Sequence, residues 1–285
     1  MKDYLGAHMS IAGGIYNALE RGVEAGCGVV QVFTQNSTQW HGKPIPDSDI
    51  LLFKEKLAES GINEVVTHDI YLINLAASPG EMRDKSIVAF QEEMVRCSHL
   101  GIEKIVMHPG SHGGDGEETG LKRITEAFDQ LLSTTTEYKG KILLETTAGQ
   151  GTNLGYSFEH LRTIIEGSKH HDRFGVCYDT CHTFAAGYDI RTESSYHEVW
   201  DNFERIIGLD HLHCFHFNDS KKGLNSHVDR HEHIGKGELG ANAFSLLMND
   251  PRFVNIPKIL ETPKGDNNEM DEINLKLLRN MVKKR

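Results

Sequence analysis

The sequence predicts one α/β domain, a single (β/α)8 TIM barrel spanning residues 1–285. Three observations carry that reading. Eight short β-rich runs recur along the chain, longer segments with apolar residues three and four apart separate them, and no Pro/Ser-rich linker, low-complexity tract or composition break intervenes. The length suits one barrel, for which about 250 residues are usual, or two smaller domains; the unbroken alternation favours one.

Taken in order, the runs are YLGAH (4–8), VVQVFT (29–34), EVVTH (64–68) and KIVMH (104–108). KILLE (141–145), FGVCYD (174–179), LHCFHF (212–217) and PKILE (257–261) complete the eight. Between them, sets such as Ile87, Phe90, Met94 and Cys97, or Leu121, Ile124, Phe128 and Leu131, fall on one face of a helix. The glycine-rich HPGSHGGDGEE (108–118) reads as a strand-to-helix loop, because it lacks the GK[ST] ending of a phosphate-binding P-loop.

Composition narrows the function classes. No run of about 18 apolar residues is present, and the opening MKDYLGAHMS lacks a basic region followed by an apolar stretch. Neither a membrane span nor a secretory signal is indicated, so a cytoplasmic protein in a reducing compartment is expected. The five cysteines, Cys27, Cys97, Cys177, Cys181 and Cys214, form no paired CxxC knuckle and read as reduced, mostly buried thiols. A net charge of −11 speaks against a nucleic-acid partner, which usually meets a basic surface. Histidine is the outlier, with 17 copies, several of them at the ends of strand-like runs.

Barrel enzymes place their working residues at the C-terminal tips of the strands. From the third run to the eighth, those tips are His68, His108, Glu145, Asp179, His216 and Glu261. Any one of them alone reads as an ordinary polar residue at a loop start; six in succession on one face point to metal ligation. Three imidazoles and three carboxylates can hold two divalent ions, with Glu145, central in the strand order, as the bridge. The mixed N/O set suits Zn2+, with Mn2+ or Fe2+ as substitutes. His182 in DTCH, with Asp229 and His231 in VDRHEH, makes a third ligand set with an open position, although spacing alone does not separate it from solvated loop histidines. His170, His171, His197, His211, His213, His227 and His233 read as structural or surface residues. Metals in such a cluster supply a nucleophilic water at neutral pH and disperse phosphate charge, so phosphoester hydrolysis follows. Glu145, Asp179 and Glu261 are the candidate catalytic carboxylates.

HDIYLINLA (68–76), HPGSH (108–112), ETTAGQGTNLG (145–155), GVCYDTCHTFAAGYD (175–189) and FHFNDSKKGLNSHVDRH (215–231) closely resemble the endonuclease IV family, apurinic/apyrimidinic endonuclease family 2. The likeness runs from GAHMSIAGG to ILET. It implies a zinc-dependent DNA-repair enzyme that hydrolyses the phosphodiester 5′ to an abasic site in duplex DNA. The products would be a 3′-hydroxyl and a 5′-deoxyribose phosphate, and 3′-phosphatase and 3′-phosphodiesterase activity on blocked ends is implied as well. Carried over by position, His68 and His108 would bind the first of three zinc ions, with Glu145 bridging to the second. Asp179, His216 and Glu261 would complete the second site, and His182, Asp229 and His231 the third.

The resemblance also assigns DNA contacts. Tyr71 and Leu72 match the family's wedge, which enters the helix at the lesion. Asn36, Gln39 and Trp40 occupy a second recognition segment, in which Thr38 stands where relatives often carry a basic residue. Lys221, Lys222, Arg230, Lys236 and Lys264 lie in or beside strand-tip loops and are candidates for backbone contacts. Three Zn2+ would bring the net charge of −11 to about −5 and make the site itself positive, which answers the objection from acidity. The expected partner is damaged duplex DNA, with no membrane, no obligate protein partner and a monomeric state. Two alternatives stand beside this reading. One is a metal-dependent sugar isomerase or epimerase of the same barrel class; the other is a non-catalytic zinc protein that binds damaged DNA.

Overall fold

The computed structural model describes residues 3–283. Its strands are β1 (Leu5–His8), β2 (Val29–Val32), β3 (Glu64–His68), β4 (Lys104–Met107), β5 (Lys141–Glu145), β6 (Phe174–Asp179) and β7 (Leu212–His216). A two-stranded antiparallel pair, β8 (Asp219–Ser220) and β9 (His231–Glu232), precedes the last, β10 (Lys258–Leu260). β1 through β7 and β10 pair in parallel, and β1 joins both β2 and β10, so the sheet closes. The helices are α1 (Asn17–Glu24), α2 (Asp47–Ser60), α3 (Glu81–Leu100), α4 (Glu117–Thr134) and α5 (Phe158–Gly167). Then come α6 (Thr180–Ala185), α7 (Glu193–Ile206), α8 (Gly240–Asn249) and α9 (Glu269–Met281). This is the (β/α)8 barrel that the alternation predicts. Among the described residues, no helix is long and apolar enough to cross a membrane.

Several strands are shorter than their sequence runs, and the reasons are local. Pro109 has no amide hydrogen, so the ladder of β4 stops at Met107 and leaves His108 just past its end. Pro257 likewise stands outside β10. Beyond β2, Thr34 bonds to Glu93 and accepts from Arg96 Nε at 2.7 Å, a buried group on α3. Beyond β7, Phe217 still donates to the Ile259 carbonyl at 2.8 Å, but the chain then turns into the β8–β9 hairpin. That hairpin has no counterpart in the predicted elements.

Two apolar layers hold the barrel. The larger lies between strands and helices; the smaller fills the interior with Val29, Val66, Val106, Leu143, Cys177, Cys214 and Ile259. Burying each aliphatic member contributes roughly 1.5–3 kcal/mol. The eighth interior place belongs to Gly6, where a Cβ would stand 1.7 Å from the Val29 carbonyl oxygen, so the approach of β1 to β2 admits only glycine. Side chains alternate along a strand. The residues two places further on therefore face the same interior: His8, Gln31, His68, His108, Glu145, Asp179, His216 and Glu261. One polar ring thus rests on one apolar floor, at the C-terminal mouth.

Candidate metal centre

Six of the nine predicted ligands belong to that ring, and the other three arrive on connections. α6 starts directly after β6, with the Asp179 side chain capping it by accepting from His182 N at 2.7 Å, so the same carboxylate that enters the ring also sets His182 beside it. Asp229 and His231 come from the β8–β9 hairpin, whose turn is closed by Lys221 N donating to Arg230 O at 2.9 Å. Asp229 is further held where its own amide meets Gln150 Oε1 at 2.7 Å.

The donors fall into three groups, each with its atoms within 4.8 Å of one another: His68, His108 and Glu145; Glu145, Asp179, His216 and Glu261; and His182, Asp229 and His231. Glu145, fully buried, joins the first two. Its Oε2 lies 3.0 Å from His68 Nε2 and 3.3 Å from His108 Nε2, while its Oε1 lies 3.1 Å from His216 Nδ1. One oxygen thus serves each group. In the third group Asp229 reaches His182 Nε2 at 3.2 Å and His231 Nε2 at 3.3 Å.

Imidazole orientation tests whether these residues suit a cation. A ligating histidine commonly gives its other ring N–H to a protein acceptor, which fixes the tautomer. His68 Nδ1 donates to the Asp69 carbonyl at 2.8 Å and His182 Nδ1 to the Thr146 carbonyl at 2.9 Å, so each points Nε2 inward. His216 is reversed: Nε2 meets Gln31 Oε1 at 2.7 Å and Nδ1 faces the carboxylates. Among the described residues no lysine or arginine pairs with Glu145, Asp179, Asp229 or Glu261; imidazoles surround them instead.

Without a cation, protons must balance that charge. Burial alone would raise the Glu145 carboxyl, but the imidazoles of His216 and His108 outweigh it and hold the carboxyl well below its usual range. Burial would lower His216, yet Glu145 and Glu261 push it up to about 10. Asp229 falls to about 2, as hydrogen bonding and charge from His182 overcome burial. A ring of buried carboxylates and inward-turned imidazole nitrogens fits divalent metal ions, and this chain carries a metal-binding centre.

Two further donor groups include thiols, Cys177 and Cys214 with His216, and Cys181 with Asp179 and His231. All five cysteines are free and buried, as expected. His216 turns both nitrogens to the polar ring, so Cys177 and Cys214 serve as floor packing.

Sequence reasoning missed the residues that hold the predicted ligands in place. Gln31 donates to Glu261 Oε1 at 2.7 Å. Asn218 donates to Asp179 Oδ2 at 2.7 Å and accepts from Glu261 N at 2.9 Å. Asp69 stands 3.3 Å from His68 Nδ1. His8 and Gln31 were findable: each lies two places past an interior position of its strand.

The predicted DNA contacts surround the mouth unevenly. Tyr71 is 66% exposed, edge-on to Phe33 with ring centroids 5.4 Å apart, whereas Leu72 is half-buried against the outer core. Asn36 and Gln39 are exposed, but Asn36 Oδ1 is taken by Thr38, from N at 3.0 Å and Oγ1 at 2.8 Å. Trp40 packs against the core. Lys221 and Arg230 are exposed on the hairpin. Lys264 instead pairs with the buried Asp271 at 2.8 Å. Tyr71, Asn74, His108, Gln150, His182 and Asp229 line a cleft of about 220 Å³ beside the first and third donor groups.

A family described as xylose isomerase-like TIM barrels matches residues 19–281. The "probable endonuclease 4" of Geotalea daltonii is 79% identical over 285 residues, covering 100% of both chains. The crystal structure of endonuclease IV from Thermus thermophilus superposes with a TM-score of 0.87 at 32% identity, over 98% of each chain. A D-tagatose 3-epimerase-like protein superposes with a TM-score of 0.73 at 19% identity over 99% of this chain and 97% of its own, a likeness of fold alone.

Proposed function

Because this chain belongs to the endonuclease IV family of xylose isomerase-like TIM barrels, we propose that it is a three-zinc repair enzyme that incises duplex DNA 5′ to abasic sites. The products would be a 3′-hydroxyl and a 5′-deoxyribose phosphate, and the same centre would remove phosphate and phosphodiester blocks from 3′ ends. The observation that carries this reading is the three donor groups sharing one barrel mouth, two of them joined through Glu145.

His68 and His108 would hold the first ion with Glu145; Glu145, Asp179, His216 and Glu261 the second; His182, Asp229 and His231 the third. Bound, the ions supply a nucleophilic water at neutral pH and draw charge from a phosphate ester. The chain does the placing. Glu145 ties two groups together, Asp179 is locked by its capping bond and Asn218, and the apolar floor keeps water from the underside. Tyr71 offers an aromatic face at the lip of the cleft, while Lys221 and Arg230 offer charge to the DNA backbone. A sugar epimerase has no use for a third donor group on an open mouth, and the epimerase likeness extends to fold only.

The test is incubation of the purified chain with a duplex bearing one abasic site, before and after chelation, with bound metal measured. Incision on the 5′ side, lost on chelation and restored by Zn2+, is expected, with Mn2+ or Fe2+ as partial substitutes. Full zinc content without incision would instead mark a binding protein.

A further inference from the structure

We infer that Gln31 is a positioning residue that sets the tautomer of His216 and orients Glu261 for the second ion; this rests on the metal-centre reading above. Gln31 is fully buried on β2, across the mouth from β6. Its Oε1 accepts from His216 Nε2 at 2.7 Å, and its Nε2 donates to Glu261 Oε1 at 2.7 Å and to His8 Nδ1 at 3.0 Å.

A buried amide can sit either way round, and here the neighbours decide. Turned over, the amide oxygen would confront the Glu261 carboxylate, which only accepts hydrogen bonds when ionised. Glu261 therefore fixes the amide, and the amide oxygen requires a hydrogen on His216 Nε2. The free electron pair of His216 is then left on Nδ1, which stands 3.1 Å from Glu145 Oε1 and 3.2 Å from Glu261 Oε2. His68 and His182 obtain the opposite tautomer from backbone carbonyls. His216 is fully buried, and among the described residues Gln31 is the partner of its Nε2. One side chain thus orients two ligands of one ion, from two adjacent strands.

Gln31→Met removes the amide at nearly constant volume. Zinc-loaded wild type and variant are dialysed against graded chelator, zinc per chain is measured by elemental analysis, and circular dichroism checks the fold. The variant is expected to surrender one class of zinc with about 10–100-fold weaker affinity, as loss of such outer partners does elsewhere, while its remaining zinc follows the wild type. Equal retention at every chelator concentration would overturn the inference and leave the metal centre standing. A wild-type chain that binds no zinc would instead defeat the metal-centre reading itself. A second measurement needs no variant: nitrogen-15 histidine spectra of the zinc-loaded wild type. His216 should carry its hydrogen on Nε2, and His68 and His182 theirs on Nδ1. A His216 hydrogen on Nδ1 would overturn the assignment even if Gln31→Met fails to fold.

Discussion

Replacing Glu145 by glutamine leaves shape and volume almost unchanged and alters only what the two terminal atoms offer. In the wild type, Oε2 faces His68 and His108 at 3.0 and 3.3 Å, and Oε1 faces His216 and His182 at 3.1 and 3.2 Å. An amide nitrogen must replace one of these oxygens, so one pair of contacts is lost whichever way the side chain turns. Taking one partner out of a buried charge pair costs about 3–5 kcal/mol. At about 1.4 kcal/mol per decade that is a loss of roughly 100- to 4,000-fold. The assay pairs kcat on an abasic duplex with zinc per chain. Glu145→Gln should lower kcat by at least about 100-fold, with zinc lost from the bridged pair and retained on His182, Asp229 and His231. A variant with full zinc and kcat within about tenfold of wild type would refute the bridging role.

Three further outcomes follow from other parts of the barrel. Gly6→Ala drives a methyl to 1.7 Å from a backbone oxygen of β2, so its cost should exceed the about 1–3 kcal/mol of ordinary overpacking; an unchanged denaturant midpoint would contradict the packing described. At the foot of β7, His213 is pushed down from 6.5 to about 4, by burial first and then by the charges of Lys141 and Lys104. The unfolded chain takes up that proton first, so the stability present above pH 6.5 is lost as pH falls toward 4; His213→Gln should flatten this slope in denaturant titrations, and parallel slopes would count against it. Tyr71→Ala should weaken binding to an abasic duplex by about 10–100-fold while leaving undamaged duplex much less affected; equal effects on both would remove its role at the lesion.

Much of this architecture is legible in the chain alone. His68, Glu145 and Asp179 each close a short β-rich run and His216 stands one place from the end of another; in a barrel all such runs end at one mouth, so periodicity places these side chains together without knowledge of the loops. Asp229 and His231 obey no such rule. Their position depends on the hairpin turn and on Gln150, which are contacts between distant segments; in the sequence the Asp-x-His spacing offers them as ligands without separating them from solvated loop residues, and the family resemblance decides between the two. Gln31 is a partial case: period two places it in the ring, but inside VVQVFT a single amide looks like a tolerated polar residue, and what it does becomes visible when His216 and Glu261 stand on either side of it. Lys264 erred in the opposite direction. Its loop position suggested a phosphate contact, whereas Asp271 on α9 engages it.

The period-two arrangement of floor and ring has a bearing on how such a chain can change over generations. A one-residue insertion or deletion within a barrel strand would turn a ligand outward and an aliphatic residue inward, damaging floor and ring in one stroke. The six strand-borne ligands are therefore frozen in spacing as a set. Asp229 and His231 ride on a hairpin outside that alternation, so a length change beside it leaves floor and ring in register. His182 stays tied to the ring through the Asp179 cap, so the hairpin pair is the separable part of the centre, which a barrel of this design could acquire or shed while the other two groups stay intact.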